Sequence, residues 1–211
     1  MAEPPKRPPP PQRAKALTPE EVARLLEAAQ GTRYYPMVFL TLALGLRRGE
    51  LLGLRWEDVD WAREEIHVRR AVVAVDGHPV VGGLKTQSSQ RVLPLLPEVK
   101  TLLMEWRVHL REAGLDGGFI FPSSTGAEVP IAPRTLDRAW RSLLQRAGLP
   151  HYRFHDLRHT FATRAVASVD PKTVAALLGH STVVMTLQIY AHVERERQRK
   201  ALFGVLETIP R

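Results

Sequence analysis

Six side chains in this sequence have the types and the order to do chemistry together. Arg47 stands in GLRRGEL, Lys85 in LKTQSSQR, His155 and Arg158 in HDLRHT, His180 in LLGH and Tyr190 in LQIYAHV. Two guanidinium groups, an ammonium, two imidazoles and a late phenol suit phosphoryl transfer on a polyanion. Arginine forks match the non-bridging oxygens of a phosphodiester, and such clamps stabilise charge that grows in the transition state. A tyrosine can serve as a covalent nucleophile. A tyrosine acting without a metal-binding carboxylate cluster would break and rejoin nucleic acid while the phosphate stays on the protein.

Spacing sharpens some of these residues and leaves others ordinary. His155, Arg158 and His159 lie at i, i+3 and i+4 and share one helical face. His151, His155 and His159 also repeat every four residues, as metal ligands on a helix do. Asp156 stands where a catalytic glutamate would be expected, however, and Arg158 would set a cation beside the metal, so a phosphate site reads this face better. Glu50, three residues after Arg47, can hold its guanidinium in place, and Arg48 adds a second cation there. Lys85 sits beside a polar turn with Thr86, Ser88 and Arg91, a set suited to phosphate backbone contact. His180 follows Gly179 at a helix end, where an imidazole is free to face a ligand. Tyr190, with Val184, Leu187 and Ile189, would alone be a half-buried core tyrosine. Taken singly, each of these residues also has a structural reading.

The elements that must position them are mostly helical. Residues 1–16 hold six prolines and the cations Lys6, Arg7, Arg13 and Lys15. That composition predicts a disordered or polyproline II tail, extending about 3.1 Å per residue and so roughly 50 Å. It reads equally as a basic arm along DNA or as a plain linker. Globular structure is expected from Leu17, with Thr18 and Glu21 forming a capping box and Pro19 opening the first helix. Further helices are expected near 34–46, from Arg48 to before Trp56, at 97–113 and 133–147, from His155, and from Pro171 to Gly179. A short helix from about Thr182 to Tyr190 and a charged one over 194–207 complete the set. Periodicity two from Glu65 to Val75, the Asp76-Gly77 turn, and strands at 79–85 and 90–95 predict one three-stranded antiparallel sheet. The fold class is therefore α+β: a mostly helical single domain with a small sheet, Lys85 ending its second strand.

The totals agree with a polyanion partner. The 211 residues carry a net charge of +8 and a pI near 10.3, with 44% apolar and 25% charged residues. A basic excess of this size points to nucleic acid or another polyanion without choosing between them. The absence of cysteine fits a reducing cytoplasm and removes disulfides and thiolate chemistry. No stretch reads as a signal peptide or membrane span.

The segments ALGLRRGELLGLRWEDVD, LKTQSSQRVLPL, HDLRHTFATRAV and LLGHSTVVMTLQIYAHV together resemble the catalytic domain of the tyrosine recombinases, or phage-type integrases, from about Leu17 to Val193. The resemblance implies that Arg47 and Arg158 clamp the scissile phosphate and that Glu50 supports Arg47. It implies that Lys85 protonates the departing 5′-oxygen, that His155 is the acid–base histidine, and that His180 donates a hydrogen bond to the phosphate. Tyr190 becomes the nucleophile of a 3′-phosphotyrosyl link, and His159 is structural. It further implies double-stranded DNA as partner, no cofactor, metal or ATP, a prokaryotic or phage origin, and a homotetramer on DNA joined through the 194–207 helix, whose apolar residues read equally as packing on their own domain. Family members usually carry an N-terminal core-binding domain. Its absence before Leu17 leads to the expectation of weak, salt-dependent DNA binding by this chain. A type IB topoisomerase shares the clamp-and-tyrosine chemistry, but the compact HDLRHT and LLGH spacing favours a recombinase. A non-catalytic DNA-binding relic is the other reading, and the completeness of the six-residue set argues against it.

Overall fold

The computed structural model describes residues 15–84, 89–180 and 183–207, apart from the side chains of 185, 192, 196, 197 and 200–207. Lys85, Thr86 and Ser88 lie outside the described residues, as does the tail up to residue 14. The chain enters at α1 (Pro19–Ala29), whose capping box is formed as expected: Thr18 Oγ1 accepts from the Glu21 N–H, and Glu21 Oε2 accepts from the Thr18 N–H. Helix α2 (Tyr35–Leu44) is apolar around its circumference and correspondingly buried, with Met37, Val38, Leu40 and Thr41 inaccessible. It stops at Gly45, whose φ of 63° puts it in the left-handed region. A Cβ there would stand 2.5 Å from the Phe161 ring and 2.9 Å from Leu178. Glycine is required twice over at this point, which lies two residues before Arg47.

Helix α3 (Arg48–Gly53) is followed by β1 (Val59–Asp60), β2 (Glu65–Val68), β3 (Arg70–Val75), β4 (His78–Gly83) and β5 (Arg91–Pro94). The α+β class holds, but the strands are grouped differently from the expectation. The three-stranded antiparallel sheet has the order β1-β2-β5, while β3 and β4 form a separate hairpin. The single strand expected over 65–75 is divided at Arg69. The cause lies in α3, where Gly49 and Gly53 leave a groove that receives the β3 backbone. A Cβ on Gly49 would stand 2.8 Å from the Val72 carbonyl, and one on Gly53 would stand 2.9 Å from that of Arg70. Strand β3 therefore seats on α3, and β5 takes its place beside β2, with Leu93 opposite Ile66 and Arg91 opposite Val68. The Asp76-Gly77 turn has positive φ at both residues, as a tight hairpin demands.

Helices α4 (Pro97–Glu112) and α5 (Pro133–Arg146) bury Val99, Leu103, Trp106 and Leu110, and Leu136, Trp140, Leu143 and Leu144, at helical spacing. Both indoles find carbonyls: Trp106 Nε1 donates to Ile120 and Trp140 Nε1 to Tyr152. A short pair that the sequence did not reveal, β6 (Pro122–Ser123) and β7 (Gly126–Pro130), links these helices. Then come α6 (His155–Ala165), α7 (Pro171–Leu178) and α8 (Val184–Glu207). The two final helices expected are one, because Ala191-His192-Val193 contains no residue that would end a helix. A satellite core of Ala162, Val166, Val174 and Leu178 fastens α6 to α7, and Ile189, Tyr190 and Val193 of α8 pack on it.

Candidate active site

The expected clamp pair, Arg47 and Arg158, is gathered at the C-terminal end of α7. A helix leaves its last carbonyls without intrahelical donors, and its dipole makes that end negative. Arg158, on α6, donates from Nη2 to the Leu178 carbonyl and from Nη1 to that of Gly45, both at 2.8 Å. Arg47, at the start of α3, donates from Nη2 to the Gly179 carbonyl at 3.1 Å. Glu50 holds Arg47 twice: its Oε1 accepts from Nη1 at 2.6 Å and its Oε2 from the backbone N–H at 2.8 Å. Arg158 Nη1 stands 3.9 Å from Glu50 Oε2. The Arg47 side chain is 36% exposed and those of Arg158 and Glu50 are 4% and 1% exposed, so Arg47 is the more open jaw.

Arg91, expected at the DNA backbone, is corrected by this arrangement: its side chain is 6% exposed and bound inward to Glu50, with Nη2 to Oε2 at 2.9 Å. The pleat explains the inward turn, since Arg91 shares a strand face with the buried Leu93. Burial opposes ionisation of Glu50, but hydrogen bonds from Arg91 and Arg47, with the Arg91 charge, hold it below the usual carboxylate range. Burial, then the charge of Arg47, pushes Arg158 down to about 9, which still leaves it cationic at neutral pH.

Both imidazoles are shifted towards the neutral form. His155 opens on the cleft, and desolvation by its neighbours together with the charges of Arg158 and Arg153 lowers it. Burial and the charges of Arg158, Arg47 and Arg91 take His180 down to about 4. His180 Nδ1 lies 2.9 Å from Oγ1 of Thr186, a fully buried hydroxyl on α8 that fixes the ring. Nothing in the sequence pattern singled out Thr186, although its place four residues before Tyr190 puts both on one face of α8. Tyr190 is half-buried against the satellite core, and among the described residues no hydrogen bond joins its hydroxyl to the clamp. His159 is half-buried on α6.

In front of the clamp lies an open cleft of about 1160 Å³, lined by Arg47, Arg48, Glu50, Arg141, Arg153 and His155, and by the hairpin residues Ala71–Ala74 and Gly82–Leu84. Arg48 lines it while gripping Asp137 through both carboxylate oxygens, at 2.6 and 2.7 Å. Asp156 of HDLRHT is buried and accepts from the Arg153 N–H and guanidinium, each at 2.8 Å. The helix is also tied to the domain entrance. The Leu17 N–H donates to Thr160 Oγ1, which itself donates to the Asp156 carbonyl. Tyr152 donates to Glu21, and burial together with that carboxylate pushes its phenol up to about 12. Among the described residues no three His, Asp or Glu side chains converge as metal ligands do.

Two guanidinium groups oriented by one buried carboxylate, with two imidazoles beside them, make a set suited to an anion such as a phosphodiester. The family model described as the phage integrase family matches residues 15–197. The chain belongs to that family. A tyrosine recombinase XerC-like protein of Caldanaerobacter subterraneus is 32% identical over 87% of this chain and 51% of its own length. The integrase of Salmonella phage P22 is 28% identical over 91% of this chain and 49% of its own. The chain spans about half the length of the curated relatives it matches. Among solved structures, the Tn1549 transposon integrase in complex with circular intermediate DNA superposes with a TM-score of 0.75 at 27% identity, over 89% of this chain and 68% of that one. The XerA recombinase gives 0.70 at 30%, over 94% and 67%. These likenesses give the chain the phage integrase catalytic fold. Among the described residues no helix is long and apolar enough to cross a membrane.

Proposed function

We propose that this phage integrase domain performs site-specific recombination of double-stranded DNA, cleaving and rejoining strands through a 3′-phosphotyrosyl intermediate. The observation that carries the reading is the convergence of Arg47 and Arg158 on one buried Glu50 and one helix end, with His155 and His180 alongside. The Tyr190 hydroxyl attacks the scissile phosphorus, and neutral His155 takes its proton. The 5′-oxygen departs with a proton from Lys85, leaving phosphate on Tyr190 and a 5′-hydroxyl on the cut strand. Arg47 and Arg158 bind the non-bridging oxygens as charge grows on them. With Thr186 donating to Nδ1, the proton of His180 sits on Nε2 and points to the same phosphate. Attack by the 5′-hydroxyl of a partner strand reverses each step, so the ester bond energy is retained and neither ATP nor metal is required.

Arg48 contacts the DNA backbone from the cleft, and Thr86 and Ser88 flank Lys85 in the same role. Four copies act on a pair of DNA sites, the 194–207 part of α8 joining neighbours, in the cytoplasm of a prokaryote. The test uses a nicked suicide duplex, from which the strand beyond the cut diffuses away. Wild type accumulates a covalent protein–DNA adduct on denaturing gels and Tyr190→Phe accumulates none. An adduct of equal yield from Tyr190→Phe, or none from wild type at low salt, overturns the reading.

A further inference from the structure

Three consecutive carbonyls at the end of α7 are each bound by a different arginine. Leu177 receives Arg91 Nε at 2.7 Å, Leu178 receives Arg158 and Gly179 receives Arg47. Two of these arginines belong to the clamp, and the third does not face the cleft. Arg91 donates from Nη1 to Glu50 Oε1 and to the Ser89 carbonyl, both at 3.2 Å, and from Nη2 to Glu50 Oε2 at 2.9 Å. With Nε on Leu177, four of its five N–H groups have inward partners.

We propose that Arg91 is a positioning residue for the phosphate clamp, acting through Glu50 and the end of α7 and making no contact with DNA. The inference rests on the cleavage reading above. Its physical content is a division of labour around one carboxylate. Glu50 has two oxygens, and both accept from Arg91 and from Arg47. Arg91 arrives from β5, a rigid strand, and fixes the plane of the Glu50 carboxylate; that plane fixes the Arg47 guanidinium. Its Nε bond to Leu177 sets the height of the carbonyls that hold Arg158 and Arg47. The same anchor sets the start of the turn leading to His180. Charge works in the same direction. Arg47, Arg91 and Arg158 surround a single buried Glu50, leaving an excess of positive charge that a bound phosphate relieves. The buried Arg91 supplies part of that field without being screened by water.

The experiment compares wild type with Arg91→Met and Arg91→Lys in single-turnover cleavage of the suicide duplex at saturating DNA. Each variant is also run with the scissile phosphate replaced by a methylphosphonate, which lacks the negative charge the clamp stabilises. Displacing catalytic groups by about 1 Å costs up to about 100-fold, so Arg91→Met is expected to cleave the phosphodiester about 10- to 100-fold slower. On the methylphosphonate its deficit shrinks to a few-fold. Arg91→Lys retains the buried charge, but an ammonium lacks the planar fork that spans Glu50 and Leu177. It falls between the two, and it supplies the same comparison if Arg91→Met does not fold. The salt slope of DNA binding stays at the wild-type value, whereas losing a direct phosphate contact lowers it by about 1. The proposal is overturned by wild-type rates in both variants, by equal deficits on the two substrates, or by a lowered salt slope with cleavage at saturation intact. A wild type without adduct overturns the cleavage reading itself and this inference with it, so the two failures are told apart by the wild-type lane.

Discussion

Arg47 and Arg158 bind neighbouring carbonyls, those of Gly179 and Leu178, although they lie more than a hundred residues apart in sequence. The clamp is thus not two arginines that happen to meet but one helix end that collects them. Arg158 also binds Gly45, so it closes the gap between the last turn of α2 and the last turn of α7. A lysine at 158 keeps a charge but cannot bridge both carbonyls while presenting a flat edge to phosphate. We predict that Arg158→Lys lowers single-turnover cleavage about 100- to 1000-fold at saturating DNA, the range found for losing one transition-state donor. DNA affinity changes little. A loss confined to affinity would remove Arg158 from the chemistry.

Acid should weaken the fold through the histidines. His155 and His180 are lowered from the ordinary imidazole value, His180 to about 4, chiefly by desolvation and next by Arg158. Between pH 4 and about 6.5 the unfolded chain therefore binds protons that the folded site refuses. More protons on the unfolded state mean that stability rises with pH across this window and falls as pH drops through it. The urea midpoint is expected to decline from pH 7 towards pH 4.5, and His180→Gln should flatten that decline. A profile with the same slope in the variant would mean that His180 does not contribute to it.

Much of the site was legible because its motifs are local. Arg47 with Glu50 and His155 with Arg158 each lie within one turn, so helical spacing alone puts them on a shared face. Gly179 and the Asp76-Gly77 turn were readable for the same reason: their backbone conformations favour glycine. Arg91 was misplaced because a polar turn before it suggested a surface. Alternation gave the better clue, since Arg91 and Leu93 must share a face and Leu93 belongs to the core. The division of the sheet at Arg69 was not readable from strand propensity at all. It is decided by α3, whose two glycines receive β3, and that is a contact between segments rather than a property of either. Thr186 was invisible for a similar reason: its partner His180 sits outside the helix that carries it.

The glycine groove gives a direct test. Gly49 and Gly53 are one helical turn apart, and a methyl on either meets the β3 backbone at under 3 Å. A carbonyl oxygen in a strand cannot swing aside as a side-chain tip can. Gly49→Ala would have to push the β3–β4 hairpin off α3, and overpacking of this kind costs about 1–3 kcal/mol. The usual gain from alanine over glycine inside a helix, about 1 kcal/mol, offsets only part of this. Urea denaturation should show a net loss, and cleavage should fall further than stability, because the hairpin forms one wall of the cleft and leads towards Lys85. A variant as stable as wild type would show that the hairpin rides freely on α3.

Asp137 is an acidic group on the wall of a basic cleft, and its contact with Arg48 decides what it does there. Both carboxylate oxygens accept from the one Nη1 of Arg48, and each side chain is 42% exposed. Exposed pairs of this sort contribute about 0–1 kcal/mol, so Asp137→Asn should leave the fold nearly as stable. The effect on binding runs the other way from the usual loss on mutation. Replacing the carboxylate with an amide removes a repulsion for incoming phosphates and releases a guanidinium whose fork fits them. Duplex DNA affinity is expected to rise severalfold at low salt, with a salt slope steeper by about 1 because Arg48 then neutralises one more phosphate. Since the cleft is open to solvent, the gain should fade as added salt shortens the screening length to about 8 Å at physiological ionic strength. Fluorescence anisotropy across a salt series reads both quantities at once. Weaker binding by Asp137→Asn would mean that Arg48 needs Asp137 to face the DNA, and a gain constant with salt would mean that it is not electrostatic.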